Sequence, residues 1–182
     1  PPHLPPLPPR EPPSTPSSPP PPAPPLGSTA KLSATDAVLS AQVSSNWPAA
    51  FAIDGNLASV CISDTRANSW LSVRVQGSTP AGYVAVYNRN DQYAYLLGEI
   101  EVWTGTIHGD VASRFAHRCG APQVASSHAT AQVEPVVFIC GDGSLGEYVT
   151  LRQLGPPRLL TIAEIEVYER PRRDPPRPPP SP

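Results

Sequence analysis

The central part of the chain is predicted to fold as an all-β sandwich or jelly roll, flanked by extended proline-rich segments. Strand-like alternation recurs from Trp70 onwards, Gly, Pro, Asn and Asp separate the strands, and helical periodicity is limited to one possible turn at 48–53. Many short strands without intervening helices are typical of these folds. Of the 28 prolines, 15 lie in residues 1–26 and 7 in residues 171–182, so only the middle can form a packed core.

The strands are predicted from a period of two. In GYVAVYN, Val84 and Val86 alternate with Tyr83, Ala85 and Tyr87, which buries one face. The same pattern occurs in WLSVRV (70–75) and EYVTLRQL (147–154), and VVFIC (136–140) is a short apolar run. Two further strands, GEIEVW (98–103) and AEIEVY (163–168), each direct Ile and Val to one side and two Glu and an aromatic to the other.

Domain limits follow the composition, with proline-rich segments at 1–28 and 170–182 around one domain at 29–169. Proline fixes φ and lacks an N–H donor, so the flanks are expected to adopt polyproline II. At about 3.1 Å per residue the first 26 residues would reach roughly 80 Å. Two interpretations remain open, a flexible linker and a stiff rod.

Composition also limits the partners. The formal net charge is −2, and the arginines at 170, 172, 173 and 177 are too few to form a nucleic-acid patch. No apolar run approaches the ~18 residues that a membrane helix needs, so no membrane insertion is expected. Because the chain lacks an initial Met and a visible signal peptide, we expect it to be a piece of a longer or processed polypeptide.

Catalysis is not expected. The four His residues lie near no nucleophile motif and show no zinc spacing, and the glycine-rich GDGSLG (141–146) is typical of a turn. The three cysteines, Cys61, Cys119 and Cys140, form no C-x-x-C pair.

Two loops carry candidate chemistry. In AIDGN, Asp54 and Asn56 flank a Gly that permits a sharp turn, which suits calcium but is equally ordinary Asx-turn chemistry. In VYNRNDQYAYL (86–96), an Arg, an Asp and two Tyr crowd one turn, as in sugar sites.

The order of several motifs resembles a fucolectin or discoidin-type galactose-binding domain over about 32–169. The motifs are QVSS (42–45), AAFAIDGN (49–56), a Cys, a Trp-containing strand, VAVYNRND (84–91), GEIEVW, a Cys pair, GEYVTL (146–151) and LTIAEIEVYE (160–169). The resemblance implies an eight-stranded jelly-roll β-sandwich with adjacent termini, a structural calcium and a shallow sugar pocket at one end.

The resemblance also assigns residues. It implies calcium ligands at the side chains of Asp54, Asn56 and Glu164 and at the backbone carbonyls of Phe51, Val60 and Ala163. It matches Cys119 and Cys140 to a disulfide. Cys61 matches a half-cystine whose partner position is Ala163, so Cys61 is expected to be free or linked to another chain.

The implied fucose site is only half preserved. Arg89 and Asp91 stand at the Arg-x-Asp turn, whereas about Ser63 occupies the position of an early His and Leu96 that of a second basic residue. Three interpretations stay open: another glycan bound by Arg89 and Asp91 with Tyr93 or Tyr95 as a stacking platform, a structural ion pair, or a contact with a neighbouring chain or the proline segments.

The proline flanks resemble those of hydroxyproline-rich glycoproteins of green algal cell walls and flagellar surfaces, including mastigoneme-type filaments. That resemblance implies an extracellular location, partner chains in a fibrous or surface assembly, and hydroxylation with O-glycosylation. A proline ligand for SH3-type domains is the weaker alternative. The predicted function is a non-enzymatic structural or adhesive module, and the alternative is an active calcium-dependent lectin. Candidate modified residues are Pro19, Pro20, Pro21, Pro22, Pro24, Pro25, Pro178, Pro179 and Pro180.

Overall fold

Antiparallel sheets dominate the computed structural model, which describes residues 30–76, 80–128 and 134–170. The proline-rich flanks and all nine candidate modified prolines lie outside these residues. The strands are β1 (Lys31–Leu32), β2 (Ala34–Leu39), β3 (Cys61–Ile62), β4 (Trp70–Val75), β5 (Ala81–Tyr87), β6 (Glu99–Gly105), β7 (His117–Arg118), β8 (Gln123–Val124), β9 (Val136–Ile139), β10 (Tyr148–Gln153), β11 (Thr161–Ile162) and β12 (Glu164–Glu169).

Two main sheets form the sandwich. One has the strand order β1-β12-β5-β9, and the other has the order β2-β4-β10-β6-β7, with β8 also paired to β6. A short pair, β3 with β11, lies outside both. The all-β sandwich prediction is confirmed, and the described residues contain more than eight strands because five of them are only two residues long.

The helical turn expected at 48–53 is a 3-10 helix over Ala49–Ile53. A second 3-10 helix covers Ala94–Leu96. No helix in the described residues has the length and apolarity to cross a membrane.

The core lies between the sheets, where the inward residues of each strand alternate with outward ones. Leu71, Val73, Val102, Val149 and Leu151 come from one sheet, and Val84, Val86, Phe138, Ile165 and Val167 from the other; all are at most 1% exposed. Each such side chain contributes roughly 1.5–3 kcal/mol by its burial. This packing fixes which residues of each strand reach the outer faces.

The described chain enters and leaves the sandwich side by side. Lys31 pairs with Tyr168 across β1 and β12, and the Glu169 amide donates to the Ala30 carbonyl at 2.9 Å. The described residues that lead into the two proline-rich flanks therefore lie at the same end of one sheet.

Arg170, assigned from sequence to the C-terminal flank, is fixed to this end. Its amide donates to the Pro80 carbonyl at 3.2 Å, and its guanidinium donates to the carbonyls of Cys140 and Gly141 and pairs with Asp142. A Cβ on Gly82 would come within 2.5 Å of the Arg170 Cα, so Gly82 permits this close crossing.

Candidate functional site

The candidate sugar loop follows β5 directly, and hydrogen bonds from the side chain of Asn88 hold it in place. Asn88 is 8% exposed, and its side-chain amide donates to the carbonyls of Ala94 and Ser126 at 2.8 and 2.9 Å. The Ala94 amide donates back to the Asp91 carbonyl at 3.0 Å. The buried Asn88 thus fixes the turn that presents the residues after it.

Arg89 and Asp91 form a two-bond ion pair. Arg89 Nε and Nη2 donate to Asp91 Oδ1 and Oδ2 at 2.7 and 2.6 Å, and this contact lowers the pKa of the Asp91 carboxyl. The guanidinium also lies 5.0 Å from the centre of the Tyr93 ring. The pair uses two of the five N–H bonds of the guanidinium. Sequence reasoning placed these three residues on one turn, and the structure brings them into contact.

An open depression of about 400 Å³ lies beside this pair. Its other wall comes from the loop after the first 3-10 helix, through Leu57, Ala58 and Val60, and Asn90 completes the lining. A depression of this size fits within the range of small-ligand sites. Sequence reasoning missed Leu57 and Ala58, because only the fold brings the two loops together, and it did not single out Asn90 within the Arg-x-Asp turn.

Exposed aromatic residues lie on the loops at this end. Tyr93 and Tyr95 are 44% and 55% exposed, and Tyr95 follows in the short helix. Trp47 lies on a loop and is 41% exposed. Its carbonyl accepts the amide of Ile62, the residue before Ser63. Sequence reasoning did not single out Trp47, because its exposure is visible only in the structure.

The two remaining positions of the fucose pattern supply no polar side chain to the depression. Ser63 is fully buried, its Oγ donates to the Asp64 carbonyl, and that Oγ accepts the Leu160 amide at 2.9 Å. Leu96 is apolar, and its carbonyl accepts a bond from the Gln153 side chain at 2.8 Å. Ser63 therefore packs the base of the loop rather than facing a ligand.

The candidate calcium loop is a series of Asx turns. Asp54 Oδ1 accepts the Asn56 amide at 2.9 Å, Asp54 Oδ2 accepts the Ser59 hydroxyl at 2.7 Å, and Asn56 Oδ1 accepts the Ala58 amide at 3.1 Å. Gly55 has φ 75°, which glycine adopts without strain. The turn chemistry expected from AIDGN is present, and it leaves lone pairs on each oxygen.

Glu164 meets this loop from β12. The residue is 3% exposed, and its Oε2 accepts the Gly55 amide at 3.0 Å. Burial, with Asp54 and Glu166 as neighbouring negative charges, raises the pKa of the Glu164 carboxyl to about 7. The described residues contain no group of three or more His, Cys, Asp or Glu that could hold a metal. Backbone carbonyls would therefore have to complete any cation site here.

The cysteines divide into a bridged pair and a buried thiol. Cys119 and Cys140 form a disulfide with an S–S distance of 2.02 Å, whereas Cys61 is free and fully buried in β3. Burial raises the pKa of the Cys61 thiol to about 12. Cys61 pairs in its strand with Ile162, next to the buried Ala163. A buried, protonated thiol is poorly placed for the expected alternative of a link to another chain.

Comparison with solved structures supports the β-sandwich fold. The chain is similar to a fucolectin from striped bass serum, with 23% identity, a TM-score of 0.60, and 77% of this chain and 49% of that one covered. It is also similar to a fucose binding module of Streptococcus pneumoniae, with 20% identity, a TM-score of 0.59, and 78% and 96% covered.

A third similar structure is the family 32 carbohydrate-binding module of NanJ from C. perfringens, solved with galactose. Identity is 17%, the TM-score is 0.56, and 74% of this chain and 93% of that one are covered. No protein-family model and no curated protein sequence matches the chain. At these identities the similarity establishes the fold.

Proposed function

We propose that the chain is a non-enzymatic structural or adhesive module of an extracellular hydroxyproline-rich glycoprotein assembly, such as a cell wall or a flagellar surface filament. The observation that carries the proposal is the attachment of both proline-rich flanks at one end of the sandwich. β5 starts beside Glu169 and ends beside Glu164, so its seven residues separate that end from Arg89 by roughly 20 Å. The domain would be attached to a proline-rich chain at this end, and its candidate loops would point away from that chain.

The end of the domain to which the flanks are attached is stabilised by an arginine and a disulfide. Arg170 joins the last strand to Pro80, Cys140 and Asp142, and Cys140 is itself bridged to Cys119. A disulfide closing a loop of this length adds on the order of 3 kcal/mol and suits an oxidising, extracellular environment.

The loop end supports adhesion more than fucose recognition. Arg89 is paired with Asp91, Ser63 is buried, and Leu96 offers no charge. The exposed Tyr93, Tyr95 and Trp47 instead suit a contact surface, since aromatic residues are enriched where proteins meet.

A calcium-dependent glycan-binding lectin is the second candidate. The depression beside Arg89 and Asp91 favours it, and the similar solved structures are named as fucose-binding or galactose-bound modules. In this case Arg89 would donate to sugar hydroxyls while Tyr93 or Tyr95 stacks on the ring face.

A glycan array separates the two candidates. We would probe the full chain with and without EDTA, together with Arg89→Ala and the matched control Arg74→Ala, which removes an exposed ion pair with Glu147. If the chain is a structural module, no glycan binding on the array should depend on Arg89. Binding lost in Arg89→Ala and kept in Arg74→Ala would replace it with the lectin.

Calcium is proposed for the loop around Gly55. The residues present fit a hard cation, because Asp54, Asn56 and Glu164 each offer a side-chain oxygen and the Asp54 charge raises the pKa of the nearby Glu164 carboxyl. Carbonyls of Phe51, Val60 and Ala163 would complete the set. When bound, the ion would neutralise Glu164 and Asp54 and fix the loop that forms one wall of the depression.

Thermal unfolding tests this site without any glycan. Calcium should raise the Tm of the full chain, and EDTA should reverse the rise. Asp54→Asn should abolish the response, whereas Asp110→Asn should keep it, since Asp110 makes a similar Asx turn with Ser113 elsewhere. An equal Tm in calcium and EDTA would refute the site.

A further inference from the structure

The outer side of the β1-β12-β5-β9 sheet carries tyrosines that the candidate site does not use. Residues at matching register form a row, Lys31–Tyr168–Tyr83–Ile139, straight across the four strands. Two residues along, Glu166 pairs with Ala85, and beyond it Glu164 pairs with Tyr87. We name the outward residues Lys31, Tyr83, Tyr87, Ile139, Glu166 and Tyr168 the tyrosine face.

Hydrogen bonds hold two of the three rings of the tyrosine face in place. Tyr87 and Tyr168 donate their hydroxyls to Glu166 Oε2 at 3.0 and 2.8 Å, and Lys31 donates to Oε1 at 2.7 Å. The three tyrosines are partly exposed, and Ile139 is 52% exposed. A ligand would therefore meet apolar surface that loses little side-chain freedom on binding.

Fixed aromatic surfaces of this kind suit polyproline II segments. Such segments dock on aromatic-lined surfaces through their proline rings, and they are already extended before they bind. The chain itself contains a matching sequence, LPPLPPR at residues 4–10, which lies outside the run of Pro19–Pro25 predicted to be modified. Its Arg10 carries the charge opposite to that of Glu166, the one carboxylate among the residues of the tyrosine face.

The residues that continue into the two flanks lie at one end of this sheet. The flanks adjoin Ala30 and Arg170, both at the end of the sheet, and Arg170 is bonded towards Pro80 and Cys140. We propose that the tyrosine face binds the LPPLPPR segment of a second copy of the chain. This inference rests on the proposed role in a proline-rich assembly and names its contact.

A peptide titration tests the proposal on the full chain. LPPLPPR should produce saturable NMR shifts of the Tyr83 and Tyr168 rings, whereas LAALAAR, which lacks the prolines, should not. Tyr83→Ala should weaken binding by at least about fivefold, as expected for truncating an aromatic contact. The matched control Phe115→Ala, which truncates an exposed aromatic residue outside the tyrosine face, should leave binding unchanged.

Ile139→Lys provides a second variant, because the residue is exposed and the added charge repels Arg10. It too should weaken binding by about fivefold or more. No saturable shift, equal binding of LAALAAR, or unchanged affinity in both face variants would overturn the proposal. The glycan array reads out the proposed function independently, so either idea can fail alone.

Discussion

The motifs GEIEVW (98–103) and AEIEVY (163–168), which cover most of β6 and β12, are nearly the same, yet the four glutamates of these motifs have different surroundings. In both strands the Ile and Val are at most 1% exposed and the aromatic points outward. Glu101 is buried between arginines, Glu164 is buried at a loop, Glu166 is partly exposed under three donors, and Glu99 is exposed. Alternation thus determines the face of a residue, and neighbouring elements determine its electrostatics.

The largest effect is expected at Glu101. Arg152 Nε donates to it at 2.7 Å and Arg118 lies 3.7 Å away, so Glu101→Ala leaves two guanidinium groups without their buried partner. We expect a loss of about 2–3 kcal/mol in urea unfolding, below the full cost of breaking a buried pair because both arginines reach water. Glu147→Ala, which breaks an exposed pair with Arg74, should lose less than about 1 kcal/mol. Equal losses would mean that the burial of Glu101 is unimportant.

In the absence of calcium, removing the charge of Glu164 should stabilise the protein at pH 8, whereas removing Glu101 should destabilise it. Because its folded pKa of about 7 lies above the unfolded value of 4.5, the folded state holds the proton more tightly, and stability falls as pH rises from about 4.5 to 7. Glu164→Gln in EDTA should therefore be more stable than the parent at pH 8, by about 1–2 kcal/mol after allowance for water near the loop.

The same variant should lose the rise in Tm that calcium gives the parent. The measurement is urea unfolding across pH 4–8 in EDTA and in calcium. A parent chain whose stability does not decline between pH 5 and 7 in EDTA would contradict the assigned environment of Glu164.

Glu166 should give a smaller effect. Glu166→Gln replaces charge-assisted bonds from Lys31, Tyr87 and Tyr168 by neutral ones, and we expect a loss of about 1 kcal/mol in urea unfolding. Lys31→Met, which removes only the exposed donor, should lose less. A larger loss from Lys31→Met would place the main support of Glu166 at the ammonium rather than at the tyrosines.

Glu99 completes the comparison with the smallest effect. Its side chain is exposed at the start of β6, so Glu99→Gln should change stability by less than about 0.5 kcal/mol. A change comparable to that of Glu101→Ala would show that the two strands are less different than the structure indicates.

The strands were predictable, whereas the meeting of loops was not. A period of two located β4 at its observed bounds and β5, β6, β10 and β12 within two residues, because a sandwich strand buries every second side chain. An apolar run located β9, whereas β2 and the two-residue strands were not predicted. The Arg89–Asp91 turn was also readable, since both residues lie on one loop. The wall at Leu57 and Val60, the burial of Ser63 and the crossing of Arg170 over Gly82 depend on contacts between segments distant in sequence, which no local pattern encodes.

The central claim is that this module joins proline-rich chains and does not bind a sugar. It is tested by measuring whether a sugar competes with the binding of one copy of the chain to another. One copy of the full chain is immobilised, and binding of a second copy is measured with excess fucose or galactose, and with Tyr83→Ala immobilised. We predict self-binding that neither sugar reduces and that Tyr83→Ala weakens by at least about fivefold. Self-binding abolished by either sugar and unchanged by Tyr83→Ala would contradict the account.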